Sequence, residues 1–224
     1  MGGGTRHGTG PGEIAPDGSA VEFYAAMPPD EAAASLVHGV LPAGAPILEL
    51  GAGAGRVTGP LIALGHPVTA VDDSSAMLAR IEGARTVCSP IQDLRLPERF
   101  ACVLMMSYLV NYGDRKALLD ACRRHVAPDG LVVVQREERG WFDAAAPREW
   151  SHDGIDFRLR DVSRPGPDLV AATIEYRMDG RTWSHSFVSR HLGDEELPGV
   201  LGESGLRFER FLDEGGGWVV ARPA

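Results

Sequence analysis

The sequence predicts a single α/β domain built on a mostly parallel sheet, and three observations carry that prediction. Short apolar strands at Ile47–Leu50, Val68–Val71 and Ala101–Met106 alternate with helix-length segments, the pattern of strands covered on both faces. Glycines at 51, 53 and 55 follow the first of these strands, where the chain turns into a helix. The length, 224 residues, suits one such domain and buries a core large enough to need no covalent staple.

The elements follow in order. Residues 1–18, rich in Gly, Pro and Thr, are expected to form a flexible tail ahead of one domain over 19–224. Ser19–Val40 reads as helical, broken at Pro28-Pro29, with Asp30 placed to cap the second piece. Beyond the glycine loop a helix runs to about Leu64. The strand Val68–Val71 and helix Ser75–Ile81 come next, then a weak strand at Thr86–Cys88 and the apolar strand Ala101–Met106. Arg115–Val126 forms a helix stopped by Pro128-Asp129-Gly130, and Leu131–Val134 is a fifth strand. The pattern then turns antiparallel, with strands at Ile155–Val162, Leu169–Met178 and Arg181–Arg190 and a hairpin signal at Asp179-Gly180. A helix at Asp194–Glu203, with Gly205 past its end, and strands at Leu206–Leu212 and Trp218–Ala221 close the chain.

Charge and cysteine usage narrow the function class. With 22 basic against 31 acidic residues the net charge is −9, a field that repels phosphate backbones and disfavours a nucleic-acid partner. Cys88, Cys102 and Cys122 form no CxxC pair, so they read as small buried apolar residues rather than a disulfide framework or a zinc site. His152, Asp153 and Asp156 lack a convincing third ligand, and no required metal is expected. No apolar run approaches the roughly 20 residues of a membrane span, and the N-terminus has no signal pattern. A cytoplasmic protein without membrane contact, monomeric or homodimeric, is the expectation.

The loop Glu49-Leu50-Gly51-Ala52-Gly53-Ala54-Gly55-Arg56 indicates the ligand class. A dinucleotide-binding loop needs G-x-G-x-x-G to seat a pyrophosphate on a helix N-terminus, but here the spacing is G-x-G-x-G and position 56 is Arg. An acid at the strand end, Glu49, suits a ligand carrying a positive amino group, so a nucleotide without phosphates fits. Asp72 closes the second strand about 20 residues after the first glycine, where a carboxylate accepts ribose hydroxyls. Taken alone, Asp72 or Asp73 would serve equally as the cap of the next helix.

Together with Val71-Asp72-Asp73-Ser74-Ser75-Ala76-Met77-Leu78, this loop resembles the class I S-adenosylmethionine (SAM)-dependent methyltransferases. The likeness is closest to small bacterial members acting on metabolites and natural products, and it covers residues 20–135. It implies a Rossmann-like fold: a mostly parallel seven-stranded sheet with helices on both faces and an antiparallel extension near 155–190. It also implies S-adenosyl-L-methionine as cofactor. Glu49, Gly51, Ala52 and Gly53 would line its methionine end, Asp72 the ribose and Met77 the adenine face. Tyr24 would close over it, and Arg56, Asp73, Ile91, Gln92 and Ser107 complete the implied set. Tyr24 is equally an ordinary packing tyrosine. The chain departs from the family at Pro90, where an acid that binds the adenine amino group is usual; the backbone of Ile91 and the side chain of Gln92 would take its place. A second departure is Phe100-Ala101, where Phe-Asp is commoner.

The implied reaction is methyl transfer to an O or N atom of a small molecule, and the sequence offers candidates for the acceptor side. Residues after the fourth and fifth strands sit at the carboxyl edge of the sheet, which brings in Tyr108, Asn111, Arg136, Glu137 and Trp141. No [DNS]-P-P-[YFW] motif follows the fourth strand, which argues against methylation of nucleic-acid amino groups. Trp183, His185 and Phe187 alternate onto one face of their strand and could roof an apolar or aromatic substrate, or could be core packing. Glu137, His185 and His191 are the candidate general bases. A protein methyltransferase, a SAM-binding enzyme catalysing a cyclisation or decarboxylation, and a binding module without turnover are the rival readings.

Overall fold

The computed structural model describes residues 7–224. The first half contains β1 (His7–Thr9), α1 (Val21–Ala26), α2 (Glu31–His38), β2 (Ile47–Leu50), α3 (Thr58–Ala63), β3 (Val68–Asp72), α4 (Ser75–Leu78), β4 (Arg85–Cys88), β5 (Phe100–Met105) and α5 (Leu109–Tyr112). The second half contains α6 (Arg115–His125), β6 (Val126–Gln135), α7 (Trp141–Ala144), β7 (Arg148–His152), β8 (Ile155–Gly166), β9 (Leu169–Met178), β10 (Arg181–Arg190), α8 (Leu197–Gly202), β11 (Leu206–Phe211) and β12 (Trp218–Pro223).

The seven-stranded sheet expected from the sequence is present, in the order β11-β12-β6-β5-β2-β3-β4. Strands β6, β5, β2, β3 and β4 are mutually parallel; β12 runs antiparallel between β6 and β11, so β11 points the same way as the five. Burial explains why the central strands read as largely apolar runs: all four residues of β2 are buried, Glu49 among them. Alternate side chains feed two cores. Leu48, Leu50, Val103 and Met105 pack with Leu119 of α6 and Leu201 of α8. Ile47, Cys102 and Leu104 pack on the opposite face with Val37 of α2 and Leu61 of α3. Because β2 pairs with β3 on one side and β5 on the other, the winding reverses there, and a crevice opens at the carboxyl ends of these strands.

One turn is not where the sequence puts it. Pro128-Asp129-Gly130 lies inside β6 as a bulge, and the pairing jumps from Phe100 opposite Val126 to Cys102 opposite Leu131. A Cβ at Gly130 would stand 2.9 Å from the Ala101 carbonyl oxygen, so the bulge passes this point only with glycine.

The antiparallel extension is larger than expected. A separate five-stranded sheet runs β1-β10-β9-β8-β7. Asp179-Gly180 forms the foreseen hairpin, with φ of +51° and +72° between the paired Met178 and Arg181. The edge strand β7 is exposed throughout, so its sequence lacks the apolar alternation that marks a half-buried strand.

The other edge corrects the expectation of a loose tail: from His7 onward the chain is ordered, and β1 pairs with Thr9 opposite Ser184 and His7 opposite Ser186. Residues 1–6 of that expected tail lie outside the described residues. Phe23 of α1 stacks on Tyr176 at 4.3 Å and lies 5.4 Å from Trp183, tying the N-terminal segment to the second sheet. Cys102 and Cys122 are buried, as read from the sequence; Cys88, at the end of the edge strand β4, is exposed instead. No helix among the described residues is long and apolar enough to cross a membrane.

Candidate functional site

The crevice at the carboxyl ends of β2, β3, β5 and β6 is a cleft of about 1340 Å³, roofed by the second sheet. That exceeds the roughly 300–1,000 Å³ usual for one ligand, so a nucleotide-sized molecule leaves room for another.

The floor is set by the glycine loop. Gly51, Gly53 and Gly55 have φ of +73°, +54° and +85°, in the left-handed region that favours glycine. The Gly51 and Ala52 amides both donate to the Val71 carbonyl, at 2.8 and 2.9 Å, which folds the loop back over β3. A Cβ at Gly51 would meet Leu109 Cδ1 at 2.6 Å, whereas one at Gly53 would point into open cleft. Gly53 therefore keeps backbone bare for a ligand rather than for packing.

Two carboxylates organise this end. The Gly53 amide donates to Asp72 Oδ2 and the Ser74 amide to Asp72 Oδ1, both at 2.9 Å, so the loop and the end of β3 hold the carboxylate in one orientation. Ser74, not Asp72 or Asp73, caps α4, its hydroxyl accepting from the Met77 amide. That removes the helix-cap alternative for Asp72, which is held at the rim of the cleft. Glu49 is 3 % exposed and accepts from the Thr58 hydroxyl at 2.7 Å. Burial pushes its carboxyl up to about 7, opposed by the Thr58 bond and helped by the negative charge of Asp72. Asp72 is also raised, chiefly by burial. A cation placed here would satisfy carboxylates that now pay for desolvation.

This shift has a sign that can be measured. Ligand-free folded protein keeps a proton on Glu49 between about pH 4.5 and 7, where the unfolded chain has lost it. The resulting stabilisation is full below about pH 4.5 and is lost as pH rises through 7. Chemical denaturation across that range should show wild type losing stability relative to Glu49→Gln; parallel curves would contradict the buried, proton-holding Glu49.

The N-terminal segment closes the near side. Arg56 Nε donates to the Pro28 carbonyl at 2.9 Å and the Asp30 amide donates to the Arg56 carbonyl at 2.8 Å, which latches the α1–α2 junction onto the loop. Asp30 caps α2 as expected, accepting from the Ala33 amide at 3.0 Å. Tyr24, Met77, Asp73, Pro90, Ile91 and Gln92 all line the cleft. Ser107 lines it too, its φ of +56° shared by Tyr108 at the end of β5, and its amide donates to Gln135 Oε1 at 2.9 Å.

Of the residues expected on the acceptor side, Glu137, Tyr108, Trp141 and His185 line the cleft. Tyr112 donates to Glu137 Oε1 at 2.9 Å, and its ring stands edge-on to Phe187 at 5.5 Å. Burial pushes Glu137 up to about 7; the Tyr112 bond lowers it, Glu138 raises it and Arg148 lowers it. The sequence reading missed Tyr112, the last residue of the short helix α5 that Tyr108 precedes as N-cap. It also missed Trp150, Phe157 and Tyr176 in the roof.

Four expected site residues lie elsewhere. Asn111 is buried; its amide donates to the Arg190 carbonyl at 2.9 Å, and its oxygen accepts from the Glu137 amide at 3.0 Å. It positions Glu137 rather than touching the cleft. Arg136 is buried in a cage of the Gly216 and Leu192 carbonyls and the Asp194 carboxylate, because a buried guanidinium must spend its donors inside the protein. Trp183 is fully buried and donates to the Pro11 carbonyl at 2.8 Å, so its ring is core, while His185 and Phe187 on the same face reach the cleft. His191 lies tilted against Phe142 at 4.8 Å beside a separate cavity of about 240 Å³. Among the described residues no group of three or more His, Cys, Asp or Glu is placed to hold a metal ion.

Residues 48–134 match the family model described as a methyltransferase domain. The chain is 30% identical over 107 residues to a ubiquinone biosynthesis O-methyltransferase of Nitrobacter winogradskyi, covering 44% of this chain and 41% of the relative. It thus spans about two fifths of the length of the curated relatives it matches. Over nearly the whole chain its fold is similar to two solved structures. One is the sugar N-methyltransferase KedS8 of a Streptoalloteichus species (TM-score 0.72, 21% identity, 91% of this chain and 92% of that one). The other is SAM-bound CalS10, an amino pentose methyltransferase of Micromonospora echinaspora (TM-score 0.66, 20% identity, 92% and 93%). At these identities the likeness concerns the fold, and the Rossmann-like methyltransferase architecture expected from the sequence is the one found.

Proposed function

We propose, for a chain whose residues 48–134 form a methyltransferase domain on the class I fold, that the cleft binds SAM and transfers its methyl group to a nitrogen or oxygen atom of a small molecule. One observation carries the reading: the bare Gly53 backbone and the Asp72 carboxylate are hydrogen-bonded to each other, beside the buried acid Glu49, in a cleft with space for a second molecule. The residues present fit SAM. Asp72 offers a fixed carboxylate to ribose hydroxyls, Met77 and Ile91 an apolar slot for a base, and Glu49 a buried negative charge toward the amino-acid end. Pro90 brings no acid to the adenine, leaving the Gln92 side chain and the Ile91 backbone for that contact.

When bound, SAM supplies an electrophilic methyl group on a positively charged sulfur. The protein's share is placement: the roof from Phe157 to Phe187 and the floor at Gly53 hold two reactants together and keep water out, which is worth more to a displacement than any single group. Glu137, held by Tyr112 and by Asn111 through its backbone, is the group placed to take a proton from the acceptor. His185 faces the same space from the roof. The biosynthetic roles of the relatives support a metabolite acceptor, and a cytoplasmic site of action accords with the expected co-substrate.

The test is release of S-adenosylhomocysteine on incubation with SAM and a panel of small amines, phenols and alcohols. Asp72→Ala should weaken SAM binding by about ten- to a hundredfold, the loss of a charged hydrogen-bond acceptor (about 1.5–3 kcal/mol). An unchanged affinity would remove Asp72 from the site, and SAM consumption without S-adenosylhomocysteine would point to another reaction.

A further inference from the structure

Resting on the methyltransferase reading, the geometry points to a protonated primary or secondary amine as the acceptor, held as a cation between Glu137 and the aromatic roof and giving its proton to Glu137 before methyl transfer. Three observations converge on that class. First, the residues lining the cleft include eight carboxylates against three arginines. Two of those arginines are spent elsewhere, Arg56 on the Pro28 carbonyl and Arg139 on Asp194. The third, Arg148, lies over the Trp150 ring at 5.0 Å. The enclosed field is negative and favours a positive guest. Second, the same cleft is lined by aromatic rings: Tyr112, which is bonded to Glu137, is edge-on to Phe187 at 5.5 Å, and Phe157 stacks on Trp150 at 5.1 Å. Faces of such rings attract ammonium groups, and hydroxyls gain nothing comparable.

Third, proton transfer discriminates between acceptors. Glu137 is pushed up to about 7 by its burial. An alkylammonium group titrates near 10.4 and a phenol near 10, while bulk water, the reference for an aliphatic hydroxyl, stands near 15.7. Glu137 can thus take a proton from an ammonium or a phenol but not from an aliphatic alcohol. On giving up its proton the phenol becomes an anion beside Glu137 and Glu138, whereas the ammonium becomes a neutral amine, so charge favours the amine. The balance closes: the ammonium N–H proton passes to the Glu137 carboxylate, and the freed nitrogen lone pair forms the N–CH3 bond. The carbon–sulfur bond breaks with its electrons staying on sulfur, and Glu137 returns the proton to solvent. The products are the methylated ammonium and S-adenosylhomocysteine.

The experiment loads the full chain with S-adenosylhomocysteine and titrates it with benzylamine, benzyl alcohol and phenol at about pH 8, where Glu137 is ionised and the amine still protonated. Benzylamine should bind at least about tenfold more tightly than either neutral ring, and Glu137→Gln should abolish that preference. The variant should keep its S-adenosylhomocysteine affinity within about twofold, which shows that it is folded. Equal binding of the three, tighter binding of the alcohol or phenol, or no amine binding to loaded protein overturns the assignment while leaving the cofactor site intact. Failure to load S-adenosylhomocysteine overturns the cofactor reading, and the amine assignment with it.

Discussion

Glu137→Gln should lower the turnover number by about 10²–10⁴-fold, the contribution of a positioned general base. The substitution keeps the shape of the side chain and its acceptance of the Tyr112 hydroxyl, which stands 2.9 Å from Oε1 in the wild type. What it removes is the capacity to take a proton at neutral pH. In wild type the rate should rise as Glu137 ionises, through about pH 7, because burial holds its carboxyl there. That ascending limb should vanish in the variant. The control is His185→Gln, on the roof strand: if that variant loses the limb and Glu137→Gln keeps it, the base is the histidine.

Trp183→Ala should cost about 3–5 kcal/mol of folding stability, the usual cost of truncating a fully buried aromatic side chain. The ring is completely buried beneath Gly10, whose added Cβ would stand 2.4 Å from Trp183 Cδ1. Its indole N–H is spent on the Pro11 carbonyl at 2.8 Å, so truncation also leaves that carbonyl without its donor. At roughly 2–4 °C per kcal/mol for a domain this size, the midpoint of thermal unfolding should fall by about 10 °C. Trp183→Phe should fall between, keeping most of the packing and losing the hydrogen bond. A loss below about 1 kcal/mol would mean that the N-terminal segment is not held by this ring.

The glycine-loop end of the cleft was legible because its chemistry is local. The loop at 51–55 and Asp72 lie close in sequence, and the left-handed backbone that Gly51, Gly53 and Gly55 adopt is the conformation their residue type advertises. The two faces of the main sheet were legible for a similar reason, since fully buried parallel strands leave unbroken apolar runs such as Cys102–Met105.

The acceptor side was legible only in part. Strand alternation put Trp183, His185 and Phe187 on one face, but which of them meets the cleft depends on β1 and Pro11, more than 170 residues away in sequence. Arg136 and Asn111 carry polar groups of the kind that bind substrates, yet their partners are carbonyls and a carboxylate brought near by folding, which no local pattern announces. The order of residues 7–18 is of the same kind. A three-residue strand in a glycine-rich stretch has almost no side-chain signal, and backbone pairing to β10 holds it in place.

The most direct test of the account is calorimetric titration of purified, ligand-free protein with SAM and with S-adenosylhomocysteine. The account predicts micromolar binding of both, with the affinity for SAM rising as pH passes through about 7, because a bound cation favours the ionised form of Glu49. Folded wild-type protein that binds neither would contradict it.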